Sequence, residues 1–300
     1  MKKRFACILF AFSALSLGAK DVQSGEYFVT QSWLQETDFK RPYLVNVPKE
    51  AHSESRPVLI FLHGNGGNAK GAMRGFMHRN KTLSVTCILV FAQGYKESWN
   101  IVSERAQSDD LGFIETIVTT LGTFDNVQKE TFTIMGSSNG AALANQIAIE
   151  TKLPQIKNYV CMVSHLNGYQ HDGKHFKAKG ADNNYTAIAL PMTGKRILNI
   201  SGDSDDLVPY KGGPSKAIPA KGGRLTFVDA EQSIFLWARH FGYTGEKLIE
   251  PTAIKGQLEM FSYLDGDVVH YKAVGSRHNA GGALTEELLL EFLNHDQASR

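Results

Sequence analysis

The segment Thr131-Phe132-Thr133-Ile134-Met135-Gly136-Ser137-Ser138-Asn139-Gly140-Ala141-Ala142 constrains this chain more than any other. Thr131 to Ile134 favour a strand, Gly-x-Ser-x-Gly makes a turn, and Ala141, Ala142 and Ala144 open a helix that can lie close to a sheet. A turn tight enough to raise a serine above the sheet leaves no room for a Cβ two residues to either side of it. Glycines 136 and 140 stand at those positions. Ser138 is therefore the candidate nucleophile, and Ser137 the weaker one. The same five residues also describe an ordinary glycine-rich turn, so a base, an acid and oxyanion donors have to be sought elsewhere.

The chain has 300 residues, enough for one large domain with a substantial core. Its formal net charge is +2, with no long run of one sign, which argues against a nucleic-acid partner. Lys2-Lys3-Arg4, the apolar run Phe5 to Leu17 and the small pair Gly18-Ala19 read as a secretory signal peptide over 1–19. That leaves 20–300 as the catalytic domain of a secreted or periplasmic protein. No later stretch is long and apolar enough to span a bilayer, so no membrane partner is expected after signal removal. Cys87 and Cys161 fall in predicted central, non-adjacent strands and are expected to be buried free thiols.

Glu26 to Gln31 and Arg41 to Val47 read as an antiparallel edge. Pro57 to Leu62 and Cys87 to Ala92 are continuous apolar runs, as in strands buried on both faces of a mostly parallel sheet. The first run ends in His63-Gly64-Asn65-Gly66-Gly67-Asn68, a loop whose backbone N–H groups could supply half of an oxyanion hole. Its spacing is not that of a phosphate loop. His63 reads as a brace for the loop. Trp99, in the loop after the second run, is a candidate pocket wall, with a core or surface role nearly as plausible. Ser108 is expected to cap a helix whose first turn holds Asp109 and Asp110.

Further strands are expected at Lys157 to Val163 and Lys195 to Ser201, and a hairpin at Leu258–Leu264 and Val268–Val274. Between the first two, 164–194 lacks periodicity and is long for a connection, so it is expected to be an insertion over the active site. Its His165, His171 and His175 fit no zinc spacing well. Asp203, Asp205 and Asp206 compete for the orienting acid after the Lys195 strand. A calcium loop there is a weak rival, because no closing glutamate follows. His278 lies in the glycine-bounded loop after the last strand and is the candidate base. Ser138, an aspartate near 205 and then His278 is the chain order of α/β-hydrolases.

These stretches together resemble the secreted polyhydroxybutyrate-depolymerase and feruloyl-esterase (LpqC-like) group of α/β-hydrolases. The likeness runs through Leu62-His63-Gly64, Ser98-Trp99-Asn100, Asp109 to Ile114, Gly136 to Gly140, Asp205 to Pro214, Trp237-Ala238 and Gly275 to Gly282. It implies an α/β fold with a mostly parallel sheet flanked by helices, in a single catalytic domain. It also implies Asp205 as the acid, His278 as the base, and the backbone N–H groups of Asn65 and Asn139 as oxyanion donors. The expected function is hydrolysis of a small-molecule or polymeric carboxylic ester through an acyl-enzyme, with no metal or organic cofactor. A peptidase or amidase of the same fold, and a non-catalytic polymer-binding copy, are the alternatives. The chain departs from the family pattern at Ser201, where a histidine is common, and at Ala280-Gly281-Gly282, where Trp-Pro-Gly is common.

Overall fold

The structure is a computed structural model and describes residues 20–49 and 55–295. The expected signal segment lies outside them. The chain runs β1 (Gly25–Trp33), β2 (Glu36–Asn46), β3 (Arg56–Leu62), α1 (Ala69–Arg79), α2 (Lys81–Thr86), β4 (Ile88–Ala92), α3 (Asp110–Leu121), β5 (Val127–Ser137), α4 (Asn139–Glu150), β6 (Ile156–Met162), β7 (Arg196–Gly202), β8 (Gly213–Ala220), β9 (Gly223–Phe227), α5 (Ala230–His240), β10 (Ala253–Lys255), β11 (Leu258–Tyr263), β12 (Val268–Ala273) and α6 (Glu286–Leu293).

Ten strands form one sheet in the order β1-β2-β4-β3-β5-β6-β7-β12-β11-β10. The central six, β4 through β12, are parallel. Antiparallel pairs flank them at both edges. Side chains alternate across the buried strands with the two-residue period of a pleat. Val58, Ile60 and Leu62 of β3 face one core, shared with Phe113 of α3, Leu143 and Ile147 of α4 and Trp237 of α5. Leu59 and Phe61 face the other, with Phe76 of α1, Leu83 of α2 and Phe292 of α6. Both faces are therefore covered, as a parallel sheet requires.

Two details of register position the site. Leu62, the last residue of β3, lies opposite Gly136 of β5, so the 63–68 loop and the serine turn emerge side by side. Gly202, the last residue of β7, lies opposite Ala273 of β12, so the acid loop and the His278 loop do the same.

One expectation is revised, and two further features were not foreseen. The cap of α3 is Asp109, whose carboxylate accepts from Gly112 N–H at 2.9 Å; Ser108 turns its hydroxyl to Asp110 instead. The hairpin β8–β9 forms a second small sheet that the sequence reading missed. The stretch 164–194 packs on α4 and against the 100–102 loop: Gln170 donates to Ala142 O at 2.8 Å and Asn183 to Asn100 Oδ1 at 2.6 Å. Cys87 and Cys161 are buried free thiols. No helix among the described residues is long and apolar enough to cross a membrane.

Candidate active site

Ser138 sits between β5 and α4 at φ 53° and ψ −117°. A non-glycine residue reaches this conformation only where its surroundings hold it there. The glycines on either side explain how. A Cβ on Gly136 would collide with the Gly140 carbonyl, and a Cβ on Gly140 with the carbonyls of Leu62 and His63. The elbow thus presses directly on the end of β3.

Ser138 Oγ lies 2.8 Å from His278 Nε2, and His278 Nδ1 lies 2.7 Å from Asp205 Oδ2. Asp205 is buried, and its other oxygen accepts the backbone N–H groups of Leu207 and Val208 at 2.8 and 3.0 Å. These donors hold the carboxylate in place beside the imidazole. The competing acids face elsewhere. Asp203 accepts from Gly275 N–H at 2.7 Å and ties the two loops together. Asp206 is exposed and pairs with Lys216 at 2.8 Å. A Cβ on Gly202 would collide with the carbonyls of Ser276 and Arg277, so the acid and base loops meet backbone to backbone.

Asn139 is the first residue of α4, where backbone N–H groups have no acceptor within the helix. In the facing loop, Gly66 N–H bonds to Glu97 O and Gly67 N–H to Gly64 O. Asn65, the residue before them, lines the cavity beside Ser138 and Asn139. His63 is buried, and burial lowers its pKa. Its Nε2 accepts from Gly94 N–H at 3.0 Å, so Nδ1 carries the proton and donates to Gly64 O at 2.8 Å.

Trp99 does not wall the cavity. It is fully buried, and its indole N–H is satisfied by donating to His63 O at 2.7 Å. Its backbone N–H donates to Asn139 Oδ1 at 2.7 Å, and its carbonyl accepts from Asn139 Nδ2 at 3.2 Å. One residue thus bridges the two loops that carry Asn65 and Asn139.

The cavity holds about 630 Å³. One wall is apolar, made by Leu207, Val208, Ile218, Pro219, Leu225 and Phe227, four of them from β8–β9. The polar lining includes Lys96, Ser98, Ser103, Glu104 and Arg105, and adjoins the apolar one where Ser103 Oγ donates to Pro219 O at 3.0 Å. Of 164–194, Ser164 lines the cavity. Lys179, Asn183 and Tyr185 of the same stretch bond to the 100–102 loop, whose Ile101 lines the cavity. Glu104 was missed because Ser103-Glu104-Arg105 reads as an ordinary solvated stretch. Its carboxyl is largely desolvated, which raises its pKa. Two other buried histidines stand apart: His270 is fully buried between Tyr210 and Asn199, and His165 against Ser201. Among the described residues no cluster of histidine, cysteine and acid side chains could hold a metal ion.

Comparison with known proteins supports the architecture. No family model matches the chain. It is 24% identical over 198 residues to feruloyl esterase B of Piromyces equi, a match covering 64% of this chain and 34% of that one. The chain therefore spans about a third of the length of that curated relative. Among solved structures it is similar to acetyl xylan esterase from Aspergillus awamori, with a TM-score of 0.60 at 14% identity over 90% of this chain and 98% of that one. It is also similar to Thermogutta terrifontis esterase 2 phosphoramylated by tabun, with a TM-score of 0.53 at 12% identity over 90% and 93%. The chain has the α/β-hydrolase fold in a single domain.

Proposed function

We propose that this chain is an exported carboxylic-ester hydrolase with Ser138 as nucleophile, His278 as base and Asp205 as orienting acid. The observation that carries the reading is the unbroken hydrogen-bonded series Ser138 Oγ to His278 Nε2 to Asp205, at 2.8 and 2.7 Å, opening on a cavity. The names of the similar proteins, two esterases and a feruloyl esterase, support the bond type.

His278 takes the Ser138 proton as the hydroxyl attacks the ester carbonyl. Asp205 fixes the tautomer that leaves Nε2 free to accept, and stabilises the charged ring. The backbone N–H groups of Asn139 and Asn65 meet the developing oxyanion, each worth roughly 3–4 kcal/mol in such sites. The alcohol leaves with the proton from His278. Water then repeats the steps on the acyl-enzyme. The substrate classes in view are feruloyl and acetyl esters of polysaccharides and polyhydroxyalkanoate-type esters. The likeness of motifs to the depolymerase and feruloyl-esterase group supports both. Export rests on the basic, apolar and small-residue pattern of residues 2–19.

The test is hydrolysis of p-nitrophenyl acetate and butyrate by the purified protein beside Ser138→Ala. Turnover that disappears in the variant is expected. A folded wild-type protein inert on both esters overturns the reading.

A further inference from the structure

The segment 99–102 belongs to no helix or strand, yet each of its backbone groups is hydrogen-bonded by a side chain. Trp99 N–H and C=O meet the Asn139 amide. The N–H of Asn100 donates to Asp110 at 2.6 Å, and those of Ile101 and Val102 donate to Glu104 at 2.9 and 2.7 Å. The three remaining carbonyls are met from 164–194. Asn100 O accepts from Lys179 Nζ at 3.1 Å, Ile101 O from the Tyr185 hydroxyl at 2.7 Å, and Val102 O from Asn183 Nδ2 at 3.1 Å. Buried backbone groups need partners in any loop. Here the partners come from distant parts of the chain, so they also fix where the segment lies.

The 164–194 stretch is itself held in a costly conformation. Asn183 and Tyr185 have φ of 50° and 51°. Asparagine tolerates this region, but a bulky tyrosine is strained there and stays only where its neighbours hold it. Both residues are buried, and burial raises the pKa of Tyr185, so its hydroxyl stays protonated and donates. The same stretch grips α4. Gln170 Nε2 donates to Ala142 O at 2.8 Å, Asn145 Nδ2 to Ser164 O at 3.2 Å and Gln146 Nε2 to Lys177 O at 3.3 Å. Residues 164–185 therefore join α4 to the 100–102 segment. Those are the two supports of Asn139, whose backbone opens α4 and whose side chain is clamped by Trp99 and Glu104.

We propose that Tyr185, with Asn183 and Lys179, is a positioning residue that holds the Asn139 N–H where the oxyanion forms. The inference rests on the ester-hydrolase reading of Ser138 and Asn139. None of the three lines the cavity, so a loss through them falls on the reacting geometry and not on substrate contact.

Tyr185→Phe keeps the ring and removes only the hydroxyl. On p-nitrophenyl butyrate it is expected to lower kcat by about tenfold with KM within about twofold. A donor displaced by about 1 Å costs on the order of a hundredfold, and two of the three ties remain. Butyl trifluoromethyl ketone gives the readout that lost stability alone would not move. Ser138 adds to its carbonyl, His278 takes the proton, and the oxyanion so formed stays in the site. Its inhibition constant is expected to rise by the factor by which kcat falls. The control is Asn126→Ala. Asn126 is buried at the opposite end of β5 from Ser138 and bonds to Val22, so this variant is expected to lose stability and keep kcat. Should Tyr185→Phe fail to fold, Lys179→Met, at a half-buried position, is expected to lower kcat by about threefold, and an unchanged kcat there overturns the proposal. In a folded Tyr185→Phe, kcat within about twofold of wild type overturns it. So does a loss confined to KM, or an inhibition constant that stays put while kcat falls. An equal loss of kcat in Asn126→Ala overturns it in favour of general softening of the fold. A wild type inert on p-nitrophenyl esters overturns the ester-hydrolase reading and this inference with it, whereas an active wild type matched by Tyr185→Phe overturns the role of Tyr185 alone.

Discussion

Trp99→Phe should slow acyl transfer without touching a single group that meets substrate. The change keeps an aromatic ring in a fully buried site and removes the indole N–H that donates to His63 O at 2.7 Å. The backbone links of residue 99 to the Asn139 side chain remain. What is lost is the tie from that unit to the loop bearing Asn65. The His63 carbonyl is left buried with one donor fewer, a penalty of about 1–3 kcal/mol in stability, and the smaller ring leaves a cavity that adds to it. The catalytic effect follows from geometry. Asn65 N–H is useful only at hydrogen-bond distance from the oxyanion, and a displacement of about 1 Å costs on the order of a hundredfold. The assay is steady-state kinetics on p-nitrophenyl butyrate, with the melting temperature measured alongside. The expected result is a kcat lower by about 10- to 100-fold at nearly constant KM, since the donor acts on the transition state and not on the bound ester. A folded variant with kcat within twofold of wild type refutes the bridging role. So does a variant whose loss lies entirely in KM, which would return Trp99 to the substrate.

Asp205→Asn keeps the shape of the side chain but offers a donor or a neutral oxygen to His278 Nδ1; kcat should fall by about 10⁴, with KM little changed. Gly202→Ala places a methyl against the carbonyls of Ser276 and Arg277, so the acid and base loops must separate. Activity should fall well beyond the loss in stability, as comparison of kcat with the denaturant midpoint would reveal. Burial lowers the pKa of His165 to about 4 and of His270 to about 3, against about 6.5 in an unfolded chain. The unfolded chain therefore takes up protons first, so the stability supplied by the two neutral rings is complete above pH 6.5 and is lost progressively as the pH falls from 6.5 toward 4 for His165 and toward 3 for His270. At pH 5 the two together should remove about 4 kcal/mol relative to pH 7, and equal unfolding midpoints in urea at the two pH values would sink this account.

What was legible in the sequence was local. The elbow could be read because its constraint lies within five residues: a strand, a serine and two glycines with no space for a Cβ. The buried strands could be read because continuous apolar runs have few other uses. His278 could be read because one late histidine lies in a glycine-bounded loop after the last strand. The choice among Asp203, Asp205 and Asp206 could not be made locally. It depends on which carboxylate meets the N–H groups of Leu207 and Val208 and which meets Gly275 across the sheet. The resemblance to a known group named Asp205, and the geometry brings that residue to His278.

The cavity walls were illegible for a different reason. β8 and β9 are short and half-exposed, and β8 is interrupted by Pro214 and Pro219. Nothing in their pattern marks them as strands, yet they supply four of the apolar lining residues named above. Trp99 was misplaced because a tryptophan in a loop near a strand end is equally suited to a wall and to a brace. The difference is one hydrogen bond to a carbonyl 36 residues away. Glu104 carries no local signal at all. Its surroundings are backbone donors within its own loop and one amide from the elbow. The meeting of Ser138, Asp205 and His278 is therefore set at strand ends, where register and glycines fix it. The rest of the cavity lining comes from 96–105 and 207–227, segments that only the folded chain brings together.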